Sequence, residues 1–472
     1  MSEVPYAMSI NGQRVFSDEI AQAINPATEQ PICNFPMASR EHLESAVAAA
    51  KAAFPGWAAT PVETRQRCLE ALADVIEQNQ EAFIELLITE QGKGRAGAEW
   101  EIGGSIHWCR EIAKQRLEEE VVLRQGEEEV VTRHTPIGVV GGITPWNFPL
   151  LLAVWKIAPA LMTGNTLVLK PSPFTPLCTL WFGELAQAVL PAGVFNVVSG
   201  GNELGQWLTE HADIGKISFT GSTATGRRVM QSAASNLKRL TLELGGNDPA
   251  IVLPDVDPKA VAKDLFWASF ANSAQFCVAS KRLYIHEDIY DELARELVAY
   301  AQEVKLGNGL EPGTELGPLQ NRMQYDKVCD LLEDSRRAGH RFLIGGEVGS
   351  GPGFFIPVTL IDNPPEDSRC VVEEAFGPVL PLLKYRDLDD VIARANDTPY
   401  GLAASVWGRD VEAAERVARR IEAGTVWINQ AHVFSPGFAF GGHKQSGLGI
   451  ENSLHGLAEY TNMQTLMRKV LL

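Results

Sequence analysis

From Thr135 onward, short β-branched runs alternate with longer helical ones, and this alternation limits the fold more than any other feature of the chain. Residues 137–140 (IGVV), 166–169 (TLVL), 194–198 (VFNVV) and 216–219 (KISF) read as buried strands, each flanked by Gly, Pro or Asn. The stretches between them carry helical pattern and are long enough for a crossover helix, which parallel strands require. A second series follows Gly245-Gly246: a strand at 250–253, a helix at 257–269, a strand at 282–285 and a helix at 288–304. Later strands are predicted at 379–384, 404–407 and 425–428. The pattern predicts two α/β domains in tandem, joined near Gly245.

Outside these series the grammar differs. Residues up to about 117 read as helical, with Leu69, Leu72, Val75, Ile76, Phe83 and Leu87 recurring at three- and four-residue spacing. Residues 119–133 (EEVVLRQGEEEVVTR) predict an exposed strand pair turning at Gln125-Gly126, and residues 460–472 a further strand.

Composition narrows the function classes. A chain of 472 residues exceeds one ordinary domain and suggests about three. The formal net charge of −18 repels phosphate backbones, and no dense Lys/Arg run offsets it, so a nucleic-acid partner is not expected. The N-terminus shows no basic region followed by an apolar core, and no long uncharged apolar stretch follows, so neither a signal peptide nor a membrane span is expected. The seven scattered cysteines include no C-x-x-C, which suits reduced thiols in a cytoplasmic enzyme. The histidines lack metal-ligand spacing, and no metal is expected.

Four segments carry chemistry. Gly221 and Gly226 stand at a strand-to-helix junction, where exposed N–H groups and the helix dipole favour a phosphate. The G-x-x-x-x-G spacing is neither a dinucleotide fingerprint nor a P-loop, and a plain βα turn reads equally well. Cys277 has small and polar neighbours that leave a backbone N–H accessible beside the sulfur, although a free Cys is ordinarily a small buried hydrophobe. Glu243 ends an apolar strand before two glycines, facing the usual ligand crevice of an α/β sheet. Asn147 lies between Pro145 and Pro149, which hold its backbone so that its amide becomes a fixed donor; a turn-capping Asn is the alternative.

Taken together, TPWNFP, VLKPS, FTGST, LELGG, the segment ending at Cys277, EEAFGPV and FGGHKQSG resemble the aldehyde dehydrogenase superfamily, in this order and over essentially the whole chain. The resemblance implies an α/β fold with a modified Rossmann NAD(P)-binding domain (1–117 and 135–245) and an α/β catalytic domain (246–445). It also implies a β-arm (118–134 and 456–472) that joins subunits into a homodimer or homotetramer. It implies NAD(P)-dependent oxidation of a small-molecule aldehyde to the acid, with Cys277 as nucleophile, Asn147 as oxyanion donor and Glu243 as general base. For the cofactor it implies Trp146 and Phe376 beside the nicotinamide, with Phe440 near the same ring. Lys170 is implied on the adenosine ribose, Gly221, Ser222 and Gly226 at the pyrophosphate, and Glu374 on the nicotinamide ribose. It places Phe148, Leu151, Leu152, Trp155, Phe276, Val278 and Phe434 around the aldehyde.

Three positions depart from the family pattern. Ala274 replaces a usual Gly, so its methyl group is expected to shift the nucleophile loop. Asn247 replaces a common Lys, with little effect expected. Pro173 replaces a Glu that, in many NAD-preferring relatives, binds both ribose hydroxyls and repels a 2′-phosphate; NAD is expected and NADP is the alternative. The pocket set holds no cation, which argues against a short dicarboxylic semialdehyde and for an aromatic or hydrophobic aldehyde. A quaternary-ammonium (betaine-type) aldehyde held by aromatic faces is the alternative. A cofactor-independent thiol esterase pairing Cys277 with a His such as His286 is the more remote reading.

Overall fold

The computed structural model describes residues 4–469. The last three positions of the arm expected at 456–472, and the first three of the chain, lie outside these residues.

Two large sheets carry the fold. In the first, five parallel strands run in the order Arg239–Glu243, Ile214–Thr220, Val139–Ile143, Thr166–Lys170 and Phe195–Val197. Along the chain these are the fifth, fourth, first, second and third, so the winding reverses between Val139–Ile143 and Ile214–Thr220. At such a reversal the crossover helices leave on opposite faces and a crevice opens beyond the strands' carboxyl ends. The loop after Ile143 is TPWNFP and the loop after Thr220 opens with Gly221.

The second sheet has six parallel strands, in the order Thr359–Asp362, Val379–Tyr385, Ser280–His286, Asp248–Val252, Ala403–Trp407 and Thr425–Ile428. Arg341–Ile344 pairs antiparallel at one edge. Its side chains alternate between two cores: Ile251, Tyr284, Leu383 and Val406 on one face, Ala250, Val252, Leu283, Ile285 and Leu382 on the other. Burial of both faces explains why these strands read as continuous apolar runs. Helices Pro258–Phe270 and Glu287–Glu303 cover one face through Leu265, Phe266, Leu293 and Leu297. The helix Arg322–Arg337 covers the other through Val328, Leu331 and Leu332.

The helical reading of the first 117 residues needs correcting. Four short strands precede the first helix: Met8–Ile10, Gln13–Val15, Ile20–Ile24 and Pro31–Pro36. The first of them adds antiparallel to Phe195–Val197 at the edge of the first sheet. Strands of three to six residues are too short to display a period, although they pair locally, the first with the second and the third with the fourth. Helices Arg40–Ala58, Val62–Gln78, Gln80–Gln91 and Arg95–Ala113 follow.

A third, three-stranded antiparallel sheet joins Glu120–Gln125, Glu128–Pro136 and Thr461–Lys469, with Gly126 at φ +58° in the turn. It presents Val121, Val122, Leu123, Met463, Leu466 and Met467 to solvent.

Candidate active site

The carboxyl ends of the first sheet's strands face the amino ends of the second sheet's strands, and the chemistry-bearing side chains gather between them. Glu243 is the last residue of its strand, level with Thr220. Asp248 begins the next strand, opposite Ser280, and Cys277 lies three residues before Ser280. The intervening Gly246 is hemmed in: a Cβ there would come within 2.9 Å of the Cys277 carbonyl oxygen.

The loop that carries Cys277 is built from left-handed backbone. Asn272, Ser273 and Ala274 have φ of +54°, +55° and +58° in succession. This conformation costs an L-residue about 1–2 kcal/mol and a glycine almost nothing, which gives the usual Gly at position 274 a physical reason. Gln275 braces the turn. Its Oε1 accepts from the Gln320 N–H at 2.8 Å, and its Nε2 donates to the carbonyls of Asn272 (3.1 Å) and Pro318 (3.3 Å).

Asn147 reaches this loop from the first sheet. It is 3% exposed; its Nδ2 donates to the Gln275 carbonyl at 3.0 Å and its Oδ1 has no partner. Its own carbonyl accepts from Lys93 Nζ at 2.9 Å and from Asn272 Nδ2 at 3.2 Å. Lys93 in turn is paired with Glu101 at 2.5 Å, and Glu101 Oε1 accepts from the Leu150 and Leu151 N–H groups at the start of helix Pro149–Met162. Motif reading missed this buried pair. Neither residue stands in a motif, and no local spacing links a lysine before one helix to the loop that opens another.

Glu243 is 4% exposed, and among the described residues both carboxylate oxygens lack a hydrogen-bond partner. Burial pushes its pKa well above the usual carboxylate range, the Glu451 charge adds to this, and Lys156 opposes it. Lys156 is held by Glu451 Oε1 (3.1 Å), Thr220 Oγ1 (2.9 Å) and Ser218 Oγ (3.1 Å). The Cys277 thiol is pushed up to about 12, first by burial and then by the charges of Glu243, Asp248 and Glu374, with Lys281 acting in the opposite direction. Asp248 is itself raised to about 7 by burial.

The residues expected at a cofactor divide into groups. Gly221 donates its N–H to the Glu243 carbonyl at 3.0 Å, and Ser222 caps helix Thr223–Ala233 by accepting from the Thr225 N–H. Gly226 is buried under Leu244, and any side chain there would collide with it, so its bareness serves helix–sheet packing. Lys170 is 5% exposed, donates only to the Pro171 carbonyl at 3.3 Å, and is lowered to about 8 by burial. Trp146 meets Phe376 edge-on at 5.3 Å. Glu374 Oε1 accepts from the Gly246 N–H at 3.0 Å and lies 3.4 Å from Lys281 Nζ.

The expected aldehyde pocket holds a cluster of rings. Phe276 lies 4.6 Å from Phe148 and 6.0 Å from Phe434; Phe434 meets Trp155 at 6.4 Å. Phe440, expected beside the nicotinamide, contacts Trp155 (5.7 Å) and Phe434 (5.6 Å). The indole N–H of Trp155 is buried without a partner. Leu151 and Val278 are buried and Leu152 is half-buried. His432, absent from the expected set, packs 4.5 Å from Phe276 and bonds the Val278 carbonyl at 3.2 Å; burial lowers it to about 4. A cleft of about 140 Å³ opens beside Phe434 and Phe440. His286 lies elsewhere, beside Tyr385 and Asp288. Among the described residues, no group of three or more His, Cys, Asp or Glu is arranged to hold a metal, and no helix is long and apolar enough to cross a membrane.

Residues 15–466 match the model of the aldehyde dehydrogenase family. The chain belongs to this family. A Pseudomonas protein named "Probable aldehyde dehydrogenase" is 43% identical, over 98% of this chain and 94% of that one. The aldehyde dehydrogenase of Bacillus cereus, solved as its NAD+ complex, superposes with a TM-score of 0.97 at 36% identity, covering 99% of this chain and 97% of that one. An NADP-dependent enzyme of E. coli superposes at 0.96 with 35% identity, covering 98% of each chain. The family resemblance and the α/β architecture therefore hold, and the chain is an oxidoreductase of the aldehyde dehydrogenase type.

Proposed function

We propose that this enzyme oxidises an aromatic or otherwise hydrophobic aldehyde to its carboxylic acid, with NAD as acceptor and NADP as the alternative. The observation that carries the reading is the convergence on Cys277 of a fixed amide and an unpartnered carboxylate: Asn147 Nδ2 bonds the carbonyl two residues before it, and Glu243 bears on the thiol electrostatically.

The residues present suit a nicotinamide dinucleotide. Lys170 offers an ammonium satisfied only by one carbonyl, and the bare backbone of Gly221 and Ser222 opens a helix of eleven residues. The Glu374 carboxylate lies so close to Gly245 that a side chain there would collide with it. When bound, the dinucleotide supplies the hydride acceptor. Lys170, Gly221, Ser222 and Glu374 would hold it, with Trp146 and Phe376 lining the ring.

The protein's own groups then act in sequence. Glu243 takes the Cys277 proton, its raised pKa making the carboxylate a stronger base than an exposed one. The thiolate attacks the aldehyde carbon and forms a thiohemiacetal. Asn147 Nδ2 has two hydrogens; one is committed to Gln275, and the other is free for the oxyanion beside the Cys277 N–H. After loss of hydride a thioester joins the acyl group to Cys277. Glu243 passes the Cys277 proton to solvent and then deprotonates a water whose oxygen adds to the thioester carbonyl; the C–S bond breaks, Cys277 leaves as the thiolate and the acid is released.

The ring cluster of Phe148, Trp155, Phe276, Phe434 and Phe440 supports the apolar substrate class, and the ammonium over it, Lys93 above Phe148 at 4.0 Å, is committed to Glu101. The division into a cofactor domain, a catalytic domain and an arm belongs to the same reading. So does assembly into at least a dimer, which would cover the apolar side chains of the three-stranded sheet. Benzaldehyde, hexanal, betaine aldehyde and succinate semialdehyde, assayed with both coenzymes by absorbance of the reduced nicotinamide, test the reading. Benzaldehyde or hexanal should give the highest kcat/KM; the semialdehyde in first place would overturn the substrate class.

A further inference from the structure

We infer that Lys281 is a positioning residue for the nucleophile, its buried ammonium clamping the Cys277 loop to Glu374 and favouring the charged form of the thiol. The inference rests on the reading of Cys277 as nucleophile and adds a residue that no motif marks.

Lys281 is 5% exposed and occupies the second position of strand Ser280–His286. Its ammonium turns back along the chain. It donates to the Cys277 carbonyl at 2.6 Å and the Phe276 carbonyl at 3.0 Å, with the Ala279 carbonyl at 3.4 Å. Glu374 Oε1 stands 3.4 Å away and also accepts the Gly246 N–H, so one ammonium links the thiol loop, the acidic loop and the glycine pair between the sheets. A buried ammonium with this many acceptors is fixed in place, and a fixed charge acts on its neighbours more strongly than a mobile one.

The charges around the sulfur give that position a consequence. Glu243 arrives from the first sheet, Asp248 from the second, and Glu374 from the loop after the short helix Arg369–Val372; all three disfavour a thiolate. His432, bonded to the Val278 carbonyl, is held neutral by burial at ordinary pH. Lys281 acts against the carboxylates. Removing its charge while keeping a donor leaves three carboxylates facing the sulfur with their counterweight gone.

The test is the pH dependence of Cys277 alkylation by iodoacetamide. It is measured on the full chain without coenzyme by peptide mass spectrometry, with Cys277→Ala as the control for the other thiols. Lys281→Gln should react about tenfold more slowly at pH 8 and move the profile up by about one pH unit, while Lys281→Arg should stay near wild type. Superimposable profiles for folded Lys281→Gln and wild type would overturn the inference, because a purely structural lysine changes the melting temperature and leaves the thiol titration alone. Should Lys281→Gln not fold, Glu374→Gln decides: its profile should move down in pH, and no movement would overturn the inference equally. Failure of the nucleophile reading shows separately, as aldehyde oxidation that survives in Cys277→Ala.

Discussion

Glu101 and Glu243 are both buried carboxylates, and the fold treats them oppositely. At Glu101 every oxygen is used: one takes the Lys93 ammonium at 2.5 Å and the other caps the helix that follows the loop. At Glu243 neither oxygen has a partner among the described residues. A buried polar group left unsatisfied is costly, so an orphan beside a thiol marks a place where the partner is supplied by the reaction, whereas a satisfied pair marks scaffolding.

Breaking the comparison at its centre gives the largest effect. Cys277→Ala should lower kcat for aldehyde oxidation by roughly 10⁴-fold or more, with the thermal midpoint nearly unchanged. Glu243→Gln should cost roughly 10²–10⁴ in kcat without loss of stability, since no bond is broken. Glu101→Gln should do the reverse. It leaves Lys93 buried without its counter-charge and should destabilise the fold by about 3–5 kcal/mol in denaturant unfolding.

The titration of Glu243 sharpens the contrast. Its folded pKa lies above the ordinary value of 4.5, so the folded state holds the proton more tightly. The associated stability is complete below that ordinary value and is lost as pH rises through the folded one. The melting temperature of Glu243→Gln should therefore gain on wild type as pH rises from about 4.5 to neutrality; a constant difference would contradict a raised pKa. The smallest effect is expected at the nucleophile turn, where Ala274→Gly should stabilise by about 1 kcal/mol in the same unfolding measurement because φ +58° suits glycine.

Much of the fold was legible in order and type. The strand expected at 425–428 is Thr425–Ile428, and the helix expected at 257–269 is Pro258–Phe270, capped by Asp257. Strands buried on both faces announce themselves as apolar runs, and capping residues announce helix starts. The first four strands were missed because each is too short to show a period. At the site, motifs nominated Asn147, Glu243 and Cys277, and the structure brings the Asn147 amide to the loop that carries Cys277. Lys93 and Glu101 were not nominated, since each acts on a segment that local spacing does not connect to it; Lys281 lies close along the chain to Cys277, but no motif marks a lysine that turns back on the preceding carbonyls.

The order of strands and helices, the family motifs and the candidate site residues were written into the linear chain, because periodicity, capping and motif spacing are properties of neighbouring residues. Tertiary structure alone decided which buried charges are closed and which are left open. Lys93 meets the carbonyl of a residue 54 positions away, and Glu374 meets both Gly246 and Lys281, so the balance of charge at the sulfur is set only when the two sheets come together.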